Sequence, residues 1–161
     1  MSIEKNCTDC PLKKESPLKL EKNNSKILLV FQAPGQEENK LKRPIISQKI
    51  NSAGYRLTKS WHSKSKERSD FDITNTVLCY PGYNEKTKRD KKPNSKSRQY
   101  CLNNLETDII NNNYSKIICF GGVAINQIKK IKHKIKQNIE IIESPHPCAN
   151  GVKDTDLVKL W

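Results

Sequence analysis

Four short apolar runs punctuate an otherwise polar chain: KILLVF (26–31), FDITNTVLCY (71–80), KIICFG (116–121) and IEIIES (139–144). Each is apolar or β-branched and closed by turn residues, so each reads as a buried parallel strand. The intervening segments carry a helical period. SAGYRLTKSWHSKSKE (52–67) spaces Tyr55, Leu57 and Trp61 along one side. SRQYCLNNLETDIINN (97–112) does the same with Cys101, Leu102, Leu105, Ile109 and Ile110, and GVAINQIKKIKHKIK (122–136) with Val123, Ile125, Ile128, Ile131 and Ile135. Strands alternating with helices predict right-handed crossovers and an open, mostly parallel α/β sheet. Such sheets bind ligands beyond the carboxyl ends of their strands, so the loops after Phe31, Cys79, Phe120 and Ser144 are the candidate site.

Two stretches lack the period. SKSKERSD (63–70) is polar, and PGYNEKTKRDKKPNSKSR (81–98) is long and basic; a loop of that length in a compact domain is usually functional or mobile. No internal repeat and no second domain is visible, and 161 residues suit one domain with one core. The C-terminal DLVKLW predicts a short helix packed down by Leu157, Leu160 and Trp161.

Charge narrows the partners. The net charge of +13 attracts polyanions, nucleic acid first, although a Lys- and Asn-rich composition raises it as well. MSIEKNCTDCPLKK has no apolar core of a signal peptide, and no run approaches the roughly 18 residues of a membrane span. The expectation is a soluble, cytoplasmic, monomeric protein with no membrane partner. Disulfides are rare there, so six cysteines need another account. Cys7 and Cys10 form a C-x2-C pair; Cys79 ends a predicted strand and Cys101 begins a predicted helix. Four such thiolates suit zinc or an iron–sulfur cluster. Cys119 lies inside an apolar strand as a core residue, and Cys148 follows His-Pro in a loop as a free thiol.

Taken in order, these motifs resemble the uracil-DNA glycosylase superfamily, above all its iron–sulfur, family-4 branch. CTDCPL (7–12) is similar to the N-terminal cluster pair. FQAPGQEEN (31–39) resembles the first motif, G-E-A-P-G-x-x-E-D. RPIISQKINSAGYRL (43–57) resembles R-P-F-V-G-x-A-G-x-L-L. DITNTVLCYPG (72–82) resembles the strand with T-N-V-V-K-C and the third cluster cysteine, and RDKKPNSKSRQYC (89–101) the approach to the fourth. KIICFGGVAI (116–125) resembles the family's strand–helix turn, and ESPHPCANG (143–151) its H-P-S motif. The resemblance implies a three-layer α/β/α sandwich around a central four-stranded parallel sheet. It implies one domain over 1–161, with a cluster-binding segment (1–25) and the basic loop (81–98). It also implies a [4Fe-4S] cluster on Cys7, Cys10, Cys79 and Cys101, with zinc as the alternative, and hydrolysis of the N-glycosidic bond of uracil in single- or double-stranded DNA.

That reaction needs the base out of the stack, donors for the departing base anion and an acceptor for water near the sugar. The resemblance assigns His146 as donor to the base. Asn75, whose amide offers both donor and acceptor, reads the pyrimidine edge. Ala33 and Gly35 bring backbone to the base. Glu38 either orients water and steadies the positive sugar or is an acid favoured by a helix N-terminus. Lys88, Arg89, Lys91 and Lys92 are candidate phosphate contacts, with Lys86 and the lysines of 129–136 as a further basic surface. The segment CANGV, with Asn150, is a candidate minor-groove wedge.

Three departures bear on function. Gln32 stands where the motif has Glu and can position water without taking its proton. Phe31 replaces the motif's first glycine. Ile45 falls where the family has a Phe that stacks on uracil, and Tyr55, Tyr80 or Tyr83 are the substitutes at hand. A modified pyrimidine as substrate, for example in invading DNA, and a catalytically silent DNA-binding module of the same fold are therefore rival expectations. A zinc-bearing nucleic-acid binder is a third.

Overall fold

A computed structural model describes residues 7–46 and 48–161, so the first six residues of the expected cluster-binding segment lie outside the described residues. In chain order the elements are β1 (Ile27–Phe31), α1 (Gln36–Leu41), α2 (Ala53–His62), β2 (Asp72–Asn75), β3 (Tyr83–Asn84), β4 (Arg89–Asp90), α3 (Ser95–Ile110), β5 (Lys116–Phe120), α4 (Gly121–Ile131), β6 (Glu140–Ser144) and α5 (Asp154–Val158). The four apolar runs form one parallel sheet of order β2-β1-β5-β6.

Alternation along the strands divides the core into two layers. Leu28, Val30, Ile117 and Cys119 pack against α3 and α4 through Leu105, Ile109, Ile128 and Ile131. Leu29, Phe31, Ile73, Ile118 and Phe120 pack on the other face with Leu57 and Trp61 of α2 and Leu157 of α5. The result is the expected α/β/α arrangement. Cys119 is sealed in the first layer, where burial pushes its thiol up to about 12, so it is an inert core residue. The short terminal helix is also as expected, with the Trp161 indole N–H donating to Ser60 Oγ at 2.8 Å.

Three elements differ from expectation. The second strand stops at Asn75 rather than Tyr80. Thr76 donates through its N–H to the Phe31 carbonyl (2.8 Å) and through Oγ1 to the Gln32 carbonyl (2.7 Å), where the Val77 N–H follows (3.0 Å). The chain thus leaves the sheet along the loop after β1, and Thr76–Cys79 stay buried without being strand. The basic loop contains an antiparallel hairpin, β3 with β4. It also ends earlier, because the Asn94 side chain accepts the Ser97 N–H at 2.8 Å and starts α3 at Ser95. The basic helix is less open than its sequence: Lys129 pairs with Glu143 (3.0 Å) and Lys134 with Glu106 (2.8 Å). No helix of the described residues is long and apolar enough to cross a membrane.

Two contacts position the loop between α1 and α2. Gly54 packs so closely that a Cβ there would lie 1.9 Å from the Ile46 carbonyl oxygen, which no side chain survives. Glu21 exchanges backbone hydrogen bonds with Ile73 at the sheet edge (2.9 and 3.0 Å). Its carboxylate receives Arg68 at 2.7 and 2.9 Å and Arg43 at 3.1 Å. Burial alone would raise its pKa, but the two guanidinium groups prevail and hold it near 2. A carboxyl held below its ordinary 4.5 contributes stability that is complete above pH 4.5 and lost as pH falls through 2. Glu21→Gln should therefore lose on the order of 2 kcal/mol at pH 7, discounted for the exposed Arg43, in chemical denaturation. The difference from wild type should vanish towards pH 2; an equal difference at both pH values would refute the assignment.

Candidate active site

The sheet order sets the order of the site. Along the carboxyl edge come Asn75 (end of β2), Gln32 (after β1), Gly121 (after β5) and His146 (after β6). Beneath them Phe31 and Phe120 stack with centroids 4.7 Å apart and planes 4° from parallel.

Asn75 sits opposite Phe31 in the ladder and is only 3% exposed. Among the described residues its side-chain amide has no hydrogen-bond partner, yet it is not one of the amides sealed from solvent. A buried amide normally finds partners, so this one keeps both its donor and its acceptor available. The Gln32 carbonyl is occupied by Thr76 and Val77 as described, while its amide likewise has no partner among the described residues. Ala33 and Gly35 lie partly accessible in the turn after it.

Glu38 takes the second of its two expected places, as an acid in the first turn of α1. One carboxylate oxygen accepts the Gly35 N–H (2.5 Å) and the other the Ile45 N–H (2.6 Å). Burial raises its pKa, and the two N–H donors pull the other way. Glu38 thus buckles the first-motif loop to the segment before α2. Ile45 has φ 45°, a region that β-branched residues avoid. Besides Glu38, it is held by Arg68, which donates to its carbonyl at 2.5 Å and also to that of Pro44. The Ile45 side chain is buried in the core cluster with Phe31 and Leu57.

His146 follows β6 with its Nδ1 accepting the Cys148 N–H at 3.1 Å. Burial lowers its pKa below the ordinary 6.5. A neutral imidazole whose Nδ1 accepts carries its proton on Nε2, where it is a donor. Gly121, at φ 85°, packs on it: a Cβ there would sit 3.4 Å from the His146 Cβ. Arg56 of α2 binds the carbonyls that follow, those of Pro147 and Val152.

Sequence reasoning did not find Arg56, Arg68 or Asp90. The Asp90 carboxylate, on β4, accepts the Tyr80 hydroxyl at 2.8 Å and approaches the Gln36 N–H at 3.4 Å. A Cβ on Gly35 would lie 2.9 Å from it. The basic hairpin is thereby docked on the first-motif loop. Lys88, Arg89, Lys91 and Lys92 are exposed there, Lys88 pairing with Glu85 at 3.0 Å. Asn150 is exposed in the turn after His146, separate from the hairpin in sequence.

Cys7, Cys10, Cys79 and Cys101 line one cavity of about 440 Å³, walled also by Leu12 and Val77. Burial, then the neighbouring sulfurs, pushes Cys79 up to about 12. Among the described residues no three His, Cys, Asp or Glu side chains are gathered as a ready site for a lone metal ion. Four sulfurs around a partly apolar cavity fit a group that takes thiolates at several corners, since ligation deprotonates such thiols.

A histidine with a lowered native pKa binds its proton later than the unfolded chain does. Its contribution to stability is complete above pH 6.5 and falls away as pH drops through the native value. In an NMR titration His146 should keep the neutral Nε2–H form at pH 6.5; a midpoint at or above 6.5 would contradict its burial.

Comparison with known proteins adds a family and a relative. The family model described as the Uracil DNA glycosylase superfamily matches residues 18–155, which takes in every strand but leaves out Cys7 and Cys10. The Type-4 uracil-DNA glycosylase of Thermotoga maritima is 30% identical over 125 residues. That alignment covers 76% of this chain and 60% of the bacterial protein's length.

Proposed function

Because the chain belongs to the uracil-DNA glycosylase superfamily, we propose that it hydrolyses the N-glycosidic bond of uracil in DNA and leaves an abasic site. One observation carries this reading: the unpartnered amide of Asn75 opens on the same strand edge as the neutral donor His146. The base leaves its stack, and Asn75 pairs with its O4/N3 edge. As the C1′–N1 bond breaks, negative charge grows on the base oxygens, and His146 Nε2–H donates to it without having to be a cation. The Gln32 amide orients the water that adds to C1′, and the proton this water loses passes to the released base anion. No amine nucleophile takes part, so strand cleavage is not a second step. Lys88, Arg89, Lys91 and Lys92 meet phosphates, and the turn with Asn150 enters beside the extruded base. All of this is the work of one domain spanning 1–161.

Cys7, Cys10, Cys79 and Cys101 would hold a [4Fe-4S] cluster. Bound there, it would cross-link the N-terminal segment to the second turn of α3, where Cys101 lies, and would take no part in bond cleavage. Iron and sulfide in an anaerobic preparation separate this assignment from zinc.

A second reading has its own support. Ile45 packs in the core where the family's aromatic wall is expected, and Gln32 replaces an acid. Both changes suit a base other than plain uracil, such as a modified pyrimidine.

The deciding experiment is base release from oligonucleotides bearing uracil, 5-hydroxymethyluracil and other modified pyrimidines. Wild type should release uracil, and His146→Ala should be slower by about 10²–10³. Release of a modified base alone selects the second reading. No release by wild type, with unchanged DNA binding by His146→Ala, leaves a silent DNA-binding module.

A further inference from the structure

Arg56 reaches from α2 across to the loop that carries His146, and its side chain is only 17% exposed. Nη1 donates to the Pro147 carbonyl. Nη2 donates to the Val152 carbonyl at 2.8 Å and to Asp154 at 2.9 Å, and Nε donates to the same carboxylate oxygen at 3.0 Å. The guanidinium therefore closes the neck of the Pro147–Val152 turn, and Asp154 aims it.

The Pro147 carbonyl and the Cys148 N–H are the two ends of one rigid peptide plane. That N–H is the donor to His146 Nδ1. A continuous line of hydrogen bonds thus runs from the cation through one amide to the imidazole. A cation on the carbonyl polarises the amide and strengthens its N–H as a donor. An N–H aimed at Nδ1 is satisfied only if that nitrogen is bare, which leaves the ring proton on Nε2.

We infer that Arg56 is a positioning residue: through the Pro147–Cys148 peptide it holds His146 as the Nε2–H tautomer. The catalytic consequence rests on the reading of His146 as donor to the departing base; the structural link does not. Lysine cannot replace the fork, because a single ammonium cannot bind two carbonyls and a carboxylate in one plane. Lys59 already approaches Asp154 at 3.3 Å, so charge at this corner is supplied without Arg56. What Arg56 alone adds is the grip on Pro147 and Val152.

The test uses the full chain with Arg56→Met, which keeps the aliphatic stem, and Arg56→Lys. Nitrogen-15 NMR of the His146 ring reports the tautomer, and single-turnover base release reports the rate. Wild type should show a protonated Nε2 and a bare Nδ1. Arg56→Met should mix the tautomers and slow release by about 10–100-fold, with little change in KM. Arg56→Lys should lie between the two in both readouts; should Arg56→Met fail to fold, Arg56→Lys carries the test. Wild-type tautomer in either folded variant overturns the inference. If wild type releases no base, the proposed activity fails, and the NMR result still decides the role of Arg56.

Discussion

A parallel sheet buried on both faces must deliver all its strand ends to one edge, and there the backbone loses its ladder partners. That constraint governs the rest of this molecule. The Gln32 carbonyl, the first beyond β1, is taken by Thr76 Oγ1 and the Val77 N–H. The loops after β1 and β2 therefore leave the sheet as a joined pair. The same need is met after β6, where the Cys148 N–H turns back to His146 Nδ1. Irregular backbone is held in place at the very edge where Asn75 and His146 stand.

Two arginines perform matching tasks on that edge. Arg68 binds the Pro44 and Ile45 carbonyls and is aimed by Glu21. Arg56 binds the Pro147 and Val152 carbonyls and is aimed by Asp154. Each guanidinium satisfies two carbonyls that no strand or helix could take, and a carboxylate fixes its plane. In this strongly basic chain, these two arginines are spent on backbone carbonyls. The lysines and Arg89 of the hairpin stay exposed, and Asp90 docks that hairpin on Gly35.

The four strands, the layered fold and the places of Asn75 and His146 at strand ends were legible because apolar runs and motif order are local properties of a sequence. The end of β2 was not, since Thr76–Cys79 are as apolar and β-branched as the strand itself. Only their bonds to Phe31 and Gln32, more than forty residues away, set them apart. Helix α1 has no buried residue, so no apolar period announced it. Arg56 and Asp90 act on backbone and hydroxyl groups distant in sequence, and one basic or acidic letter among many carries no mark of that. Glu38 was found as a motif acid. Its two backbone partners, the Gly35 and Ile45 N–H groups, depend on the fold of the loop and carry no mark in the sequence.

The central claim is that Asn75 and His146 form one site for a pyrimidine base at the carboxyl edge of the sheet. Titrating the protein with free uracil while following the Asn75 side-chain amide and the His146 ring by NMR tests it most directly. The account predicts that both signals shift with the same saturation curve, while those of α4 lysines stay fixed. Saturable shifts elsewhere with Asn75 and His146 unmoved would contradict it.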